Sequence, residues 1–201
     1  KTHGLPAVTF LRRPNVGLLD HVGIEDSDAT AVATNYLVGL GHRHIAFLGG
    51  IASVAPRSER IAGYRSALIK SGIKDSIVWD TDDNRHAGMD AMFELSKAHP
   101  EVTAVVCNGD MVALGASLAI LQLDLVPGRD ISVIGFDDIE EASISMPPLT
   151  TMAVCPYQLG RKLARVMLDR IQDPGLPKTV TLVPATLKIR ESTGILKACN
   201  T

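Results

Sequence analysis

Ile131-Ser132-Val133-Ile134-Gly135-Phe136-Asp137-Asp138 is an apolar, β-branched run that stops on two carboxylates. A short continuous apolar segment of this kind reads as a parallel strand, because such strands are covered on both faces. In an open α/β sheet, ligands bind in the crevice beyond the carboxyl ends of the strands. Asp137 and Asp138 therefore fall where a ligand is expected. Acids at that place suit a ligand that donates hydrogen bonds from hydroxyls.

Outward from this strand, the chain alternates strand and helix. Leu5 to Leu11, His44 to Leu48, Ile77 to Trp79 and Val102 to Cys107 read as strands. Between them, Ser27 to Leu40, Arg57 to Lys70, Arg85 to Ala98 and Asp110 to Leu123 carry apolar residues at helical spacing. Gly41 and Gly72 stop the first two helices, and Asp26 or Ser27 is a natural N-cap for the first. Alternation of this kind predicts βαβ units and a parallel sheet. After Pro147-Pro148 the rhythm changes. A short extended piece (150–154) precedes an amphipathic helix from Tyr157 to Ile171, then the turn cluster 173–177. Thr179 to Arg190 reads as one extended strand around Pro184, which a strand tolerates only at an edge, a bulge or a crossing point.

Composition narrows the function. A formal net charge of −2 and 4% aromatic residues leave no concentrated basic face and no base-stacking platform for nucleic acid. No stretch reaches the ~18 consecutive apolar residues of a membrane span. The three cysteines sit at no metal-ligand spacing, and their usage fits a reducing cytoplasm rather than a disulfide scaffold. His42 and His44 form an H-x-H pair with no third ligand nearby in sequence. Gly49-Gly50 follows a strand but lacks the pattern of a nucleotide loop, and no G-x-S-x-G elbow occurs. No metal, cofactor or catalytic residue is expected, so the chain reads as a non-enzyme.

Several blocks resemble the LacI/GalR family of bacterial transcription regulators. Leu40-Gly-His-Arg-His-Ile-Ala-Phe-Leu-Gly-Gly50 resembles the start of that family's second lobe, and Arg60-Ile-Ala-Gly-Tyr64 its Arg-x-x-Gly-aromatic helix start. Ala104 to Ala116, Asp130 to Asp138, Pro147 to Thr151 and Arg190 to Thr193 are similar to further family blocks, in the family's order. The resemblance runs from about Leu5 to Thr193 and implies a type I periplasmic-binding-protein-like fold. That fold has two doubly wound parallel-sheet lobes joined by three crossing strands, closing on a small molecule, usually a sugar. It further implies an incomplete first lobe (1–41 with 153–176), a second lobe (42–152 with 177–201), and a DNA-binding helix-turn-helix absent from this chain. The implied partners are a sugar effector, a second copy in a homodimer, and operator DNA reached only through the missing N-terminal domain. The alternative is a sugar-binding component of an uptake system on the same fold.

The resemblance assigns Arg60 and Asp137 to the effector, with Arg57 as a competitor for the role of Arg60. An arginine fork can bridge adjacent hydroxyls; otherwise Arg60 would pair with Glu59 or Asp83. Asn108-Gly109-Asp110 departs from the family's usual Asn-Asp, with Gly109 standing in the asparagine's place. Asn108 is therefore a candidate for the missing amide, and Asp110 is expected to cap the helix through Leu123, with ligand contact as its alternative. Asp83 stands where many relatives place an aromatic platform, and Asp26, at the start of the first helix, completes the set. Asp138 is expected to cap the short helix that follows it, and residues 143–146 to form an exposed loop near the family's dimer contacts.

Overall fold

The computed structural model describes residues 5–11, 19–49 and 55–196. The first of these carry β1 (Val8–Phe10), β2 (Asp20–Ile24), α1 (Asp26–Gly39) and β3 (Ile45–Leu48). Then follow α2 (Ala55–Lys70), β4 (Ile77–Trp79), α3 (Arg85–Ala98), β5 (Ala104–Cys107) and α4 (Asp110–Gln122). The remainder is β6 (Ser132–Asp137), α5 (Glu140–Ile144), β7 (Thr150–Ala153), α6 (Pro156–Gln172), β8 (Val180–Val183) and β9 (Thr186–Lys188).

Among the described residues the strands form two sheets. The larger runs β4-β3-β5-β6-β7-β9, parallel except for the antiparallel edge strand β9. The smaller runs β1-β2-β8 and is parallel throughout. In the larger sheet, successive strand residues face opposite cores, as the period of two demands. Ala46, Leu48, Val105 and Val133 pack with Met92 and Leu95 of α3 and Val112 and Ile120 of α4. Ile45, Phe47, Val106 and Ile134 pack with Ala33 and Leu37 of α1 and Tyr64 and Leu68 of α2. This double covering makes β6 the near-continuous apolar run that its sequence shows. The helices of each layer approach closely: a Cβ on Gly63 of α2 would lie 2.0 Å from the Ser27 carbonyl oxygen of α1.

Three differences from the sequence expectations matter for the site. First, β2 falls where none was expected, because Asp20, His21 and Gly23 interrupt the apolar signal. Both polar side chains are nevertheless buried. Asp20 accepts from Arg170 of α6 at 2.8 and 3.1 Å and from the Thr179 N–H at 2.8 Å, which ties β2 to α6 and to the approach to β8. Second, α1 packs on α2 and reaches β5, β7 and β9, so it belongs with the larger sheet. The lobe boundary expected at residue 41 therefore moves to the β2–α1 junction at Glu25. Third, the strand expected over 179–190 divides at Pro184-Ala185. β8 pairs with β2 in the smaller sheet and β9 with β7 in the larger, so residues 177–183 lie with the first lobe. Proline lacks the N–H that a continuous ladder would need there. The chain crosses between the sheets at Glu25, between Ala153 and Pro156, and at Pro184.

Candidate functional site

The carboxyl ends of β5 and β6 open toward the gap between the two sheets. A cavity of about 230 Å³ lies there, lined by Leu11, Ile24, Asp26, Pro56, Arg57, Arg60, Asp83, Asn108 and Asp137. Leu11 and Ile24 come from the smaller-sheet side. The polar residues come from α1, α2, the β4–α3 loop and the ends of β5 and β6. Five of the six expected site residues thus converge, together with Arg57.

Arg60 is held on three sides. Its Nε donates to Asp26 Oδ1 at 2.6 Å, its Nη1 donates to the Asn108 carbonyl oxygen, and its guanidinium carbon sits 3.5 Å from the centroid of the Phe136 ring. The expected alternatives, Glu59 and Asp83, are not its partners. Asp83 instead lies 3.8 Å from Arg57 Nη2, a loose and half-exposed pair. Asp26 does not cap α1; Glu25 holds the N-cap position with no side-chain bond. Burial raises the Asp26 carboxyl above its ordinary range, against the pull of Arg60.

Asp137 stands at the end of β6 with φ +112°, and Asp138 follows at +62°. Both lie in the region that L side chains seldom adopt, and strain of this kind concentrates at ligand-holding turns. The pair of turns sends the two carboxylates apart. Asp137 faces the cavity and takes no side-chain hydrogen bond among the described residues. Though the residue keeps an exposed side, partial desolvation at the cavity wall, then the neighbouring charges of Asp110, Asp83 and Asp26, push its carboxyl up to about 6, against the pull of Arg60. Asp138 turns away and does not cap α5. It accepts from Lys188 Nζ and Arg190 Nη2, each at 2.6 Å, and so anchors the crossing segment after Pro184.

Asn108 is buried, with 3% of its surface exposed, and among the described residues its Oδ1 finds no hydrogen-bond partner. A buried polar atom left single costs about 1–3 kcal/mol, which a ligand donor would recover. Asp110 is the one expected site residue that does not line the cavity. It lies behind it, accepting from Thr151 Oγ1 at 2.6 Å and from the Ile139 N–H at 2.9 Å. It does not cap its own helix, α4, but ties the start of that helix to β7 and to the start of α5. Gly135 makes room for it, since a Cβ there would lie 2.1 Å from Asp110 Oδ1. Leu11, Ile24 and Pro56 were not anticipated as lining residues. Of the pair Gly49-Gly50 that follows β3, only Gly49 lies among the described residues.

His42 is buried at the start of the larger sheet. Its Nδ1 pairs with Thr103 Oγ1 at 2.9 Å, and its Nε2 faces Ser132 Oγ at 3.0 Å and the Gly194 carbonyl at 3.1 Å. Burial lowers its pKa, so it sits there as a neutral linker of β5, β6 and the C-terminal segment.

The periplasmic binding protein-like domain matches residues 34–193. This chain belongs to that family. Within it, the relatives place the chain as a LacI-family effector-binding domain. The domain is 32% identical over 197 residues to the HTH-type transcriptional repressor PurR of Glaesserella parasuis, covering 94% of this chain and 58% of that protein. It is 37% identical over 147 residues to the ribose operon repressor of Escherichia coli, covering 72% of this chain and 44% of that one. The LacI-family domain thus spans about half the length of these relatives. Among solved structures, a LacI family transcriptional regulator from Enterococcus faecium with bound ribose superposes with a TM-score of 0.88 at 28% identity, covering 96% of this chain and 72% of that one. A CelR–cellobiose complex gives 0.86 at 29% identity, covering 94% and 59%.

Proposed function

We propose that this domain is the effector-binding and dimerisation core of a LacI-type transcription regulator, with a sugar as effector. The observation that carries the proposal is the cavity between the sheets, where Asp26, Arg60, Asn108 and Asp137 meet Leu11 and Ile24 of the other side. A ligand there touches both lobes at once. It therefore favours the arrangement in which both sets of contacts are made, and differential affinity of this kind is the physical basis of an allosteric switch. Asp137 accepts ligand hydroxyls, Arg60 donates from the edge left free by Asp26 and Asn108, and the amide of Asn108 supplies the third contact. The domain contributes no catalytic group to the reading.

The names of the relatives favour a repressor over an uptake component, and the ribose- and cellobiose-bound neighbours favour a sugar. Operator DNA would be met through a helix-turn-helix elsewhere in the protein, in the cytoplasm. Among the described residues no helix is long and apolar enough to cross a membrane.

A second copy of the chain is the proposed partner of the α4–α5 face. Leu118, Leu121, Ile144 and Met146 are exposed there, and Ile144 lies at the end of a short helix rather than in the loop expected over 143–146. They border an apolar groove of about 370 Å³. A thermal-shift screen of mono- and disaccharides tests the effector reading, because a ligand of the folded state raises Tm. Failure of every sugar to raise Tm would remove it.

A further inference from the structure

α4 carries no charged side chain beyond Asp110. A helix that is apolar on every face belongs inside a core or an interface. One face of α4 is nevertheless open: Met111, Leu118 and Leu121 are 38%, 43% and 40% exposed. With Leu114 they follow one another at helical spacing, so they form a single stripe. The stripe runs into the groove whose far side is Ile144 and Met146, the most exposed apolar side chains of this face. Two charged side chains stand in the lining of that groove, Arg85 at the start of α3 and Glu141 in α5. Gly115 lets the start of α3 come this close, since a Cβ there would collide with the Arg85 carbonyl oxygen. Neither charged side chain has a hydrogen bond or ion pair among the described residues, and they do not pair with each other. The Nε of Arg85 is buried without an acceptor. A buried donor left single is a cost that an incoming acceptor removes.

Resting on the dimer reading above, we infer that a second copy closes this groove about a two-fold axis, with Arg85 of each copy ion-paired to the partner's Glu141, and that these reciprocal pairs select self-association. A two-fold interface brings the same patch of both copies together, so residue i meets residue j and j meets i. One free cation and one free carboxylate beside a shared apolar groove are complementary to themselves under that rotation. The apolar stripe supplies the area to be buried, but it would accept any apolar surface. The charges supply the choice. A partner without a base and an acid at the matching places leaves both Arg85 and Glu141 desolvated and unpaired, which disfavours it. Opposite charges meeting across the groove also fix the register of the two copies.

The test is analytical sedimentation of the 201-residue chain and of three charge-reversed variants, each first matched to the parent by circular dichroism. Arg85→Glu sets two acids against each other at both pairs, and Glu141→Arg sets two bases. Each single variant is expected to raise the dimer Kd by roughly tenfold or more. Glu141 is exposed, so its reversal leaves the core untouched. The double variant, Arg85→Glu with Glu141→Arg, restores both attractions and is expected to dimerise within a small factor of the parent. The deciding arm mixes the two single variants in equal amounts. One copy then carries two acids and the other two bases, so every contact across the axis is attractive and a heterodimer is expected. Recovery in the double variant without recovery on mixing would place the pair inside one chain and overturn the inference. Failure of the double variant to recover would overturn it as well. A dimeric parent whose Kd no reversal changes would remove the charge pairs and leave the dimer face standing. A monomeric parent would remove both.

Discussion

Arg60 and Asp26 meet at 2.6 Å, joining α2 to the first residue of α1 inside the wall of the cavity. Both are nearly buried, and the bond fixes the guanidinium so that only its outer edge faces a ligand. The pair thus belongs to folding and to binding at once. Arg60→Ala leaves Asp26 without its cation, and breaking a buried pair costs about 3–5 kcal/mol. The loss should fall at the lower end, because burial already inclines Asp26 to take up a proton. Chemical denaturation of the variant checks this; a midpoint unchanged from the parent would show the bond to be unimportant to the fold.

Asp137→Asn is expected to keep the fold and to weaken sugar binding by roughly tenfold to a hundredfold, the loss of a hydrogen bond to a charged acceptor. The unmodified protein should bind more weakly as the pH falls through about 6, where Asp137 takes up its proton. Without ligand the sign reverses. A carboxyl raised from 3.8 to about 6 stabilises the fold below its ordinary value, and that contribution is lost as pH rises through about 6. Titration calorimetry across this range should show a pH slope in the parent that Asp137→Asn flattens, and parallel slopes would assign the titration elsewhere.

Asp110→Ala separates support from contact. It strips partners from the Thr151 hydroxyl and the Ile139 N–H, an expected loss of about 1–3 kcal/mol for each group left unsatisfied. The folded variant should bind its sugar within a small factor of the parent. A large loss of affinity at unchanged stability would return Asp110 to the ligand.

Asp20→Asn removes the carboxylate that holds Arg170 and Thr179. The Arg170 bond holds the Asp20 carboxyl down at about 2, below its ordinary 3.8. Its contribution to stability is therefore present above 3.8 and lost as pH falls through about 2. The Tm difference between parent and variant should be several degrees near neutrality and shrink toward zero in strong acid. A difference that persists at the lowest pH would point to packing rather than to the ion pair.

Ile144→Asp places a charge on the exposed α4–α5 face without touching the core. Sedimentation should show the parent as a dimer and the variant as a folded monomer of unchanged circular dichroism, with a Tm lowered by the loss of the partner. A monomeric parent would remove this face as the interface.

The larger sheet was legible because its strands are covered on both faces and its helices on one. Ile131 to Phe136 and Asp110 to Leu123 carry patterns that nearest neighbours in the chain suffice to explain. β2 was not legible, since its polar residues are buried against Arg170, 150 positions away. The caps were misread for a related reason. Asp26, Asp110 and Asp138 each precede or begin a helix, yet each found a stronger partner in a distant element: Arg60, Thr151, and Lys188 with Arg190. For Asp26 and Asp138 that partner is a cation, with which local helix N–H groups compete poorly, and for Asp110 it is a buried hydroxyl together with the Ile139 N–H at the start of the next helix.

The sequence by itself determined the alternating α/β plan and marked the strand end at Asp137 as a candidate ligand site, and its family resemblance added Arg60, Asn108, Asp83 and Asp26 as candidates around it. Periodicity and strand-end chemistry are properties of neighbouring residues, and they survive without coordinates. Only the tertiary structure decided which acid stays free. Of the four lining or backing the cavity, Asp26 and Asp83 face arginines and Asp110 serves the loops behind, which leaves Asp137 open to a ligand. That division depends on which charges the folded chain brings within a few ångströms, and sequence spacing carries no such distance.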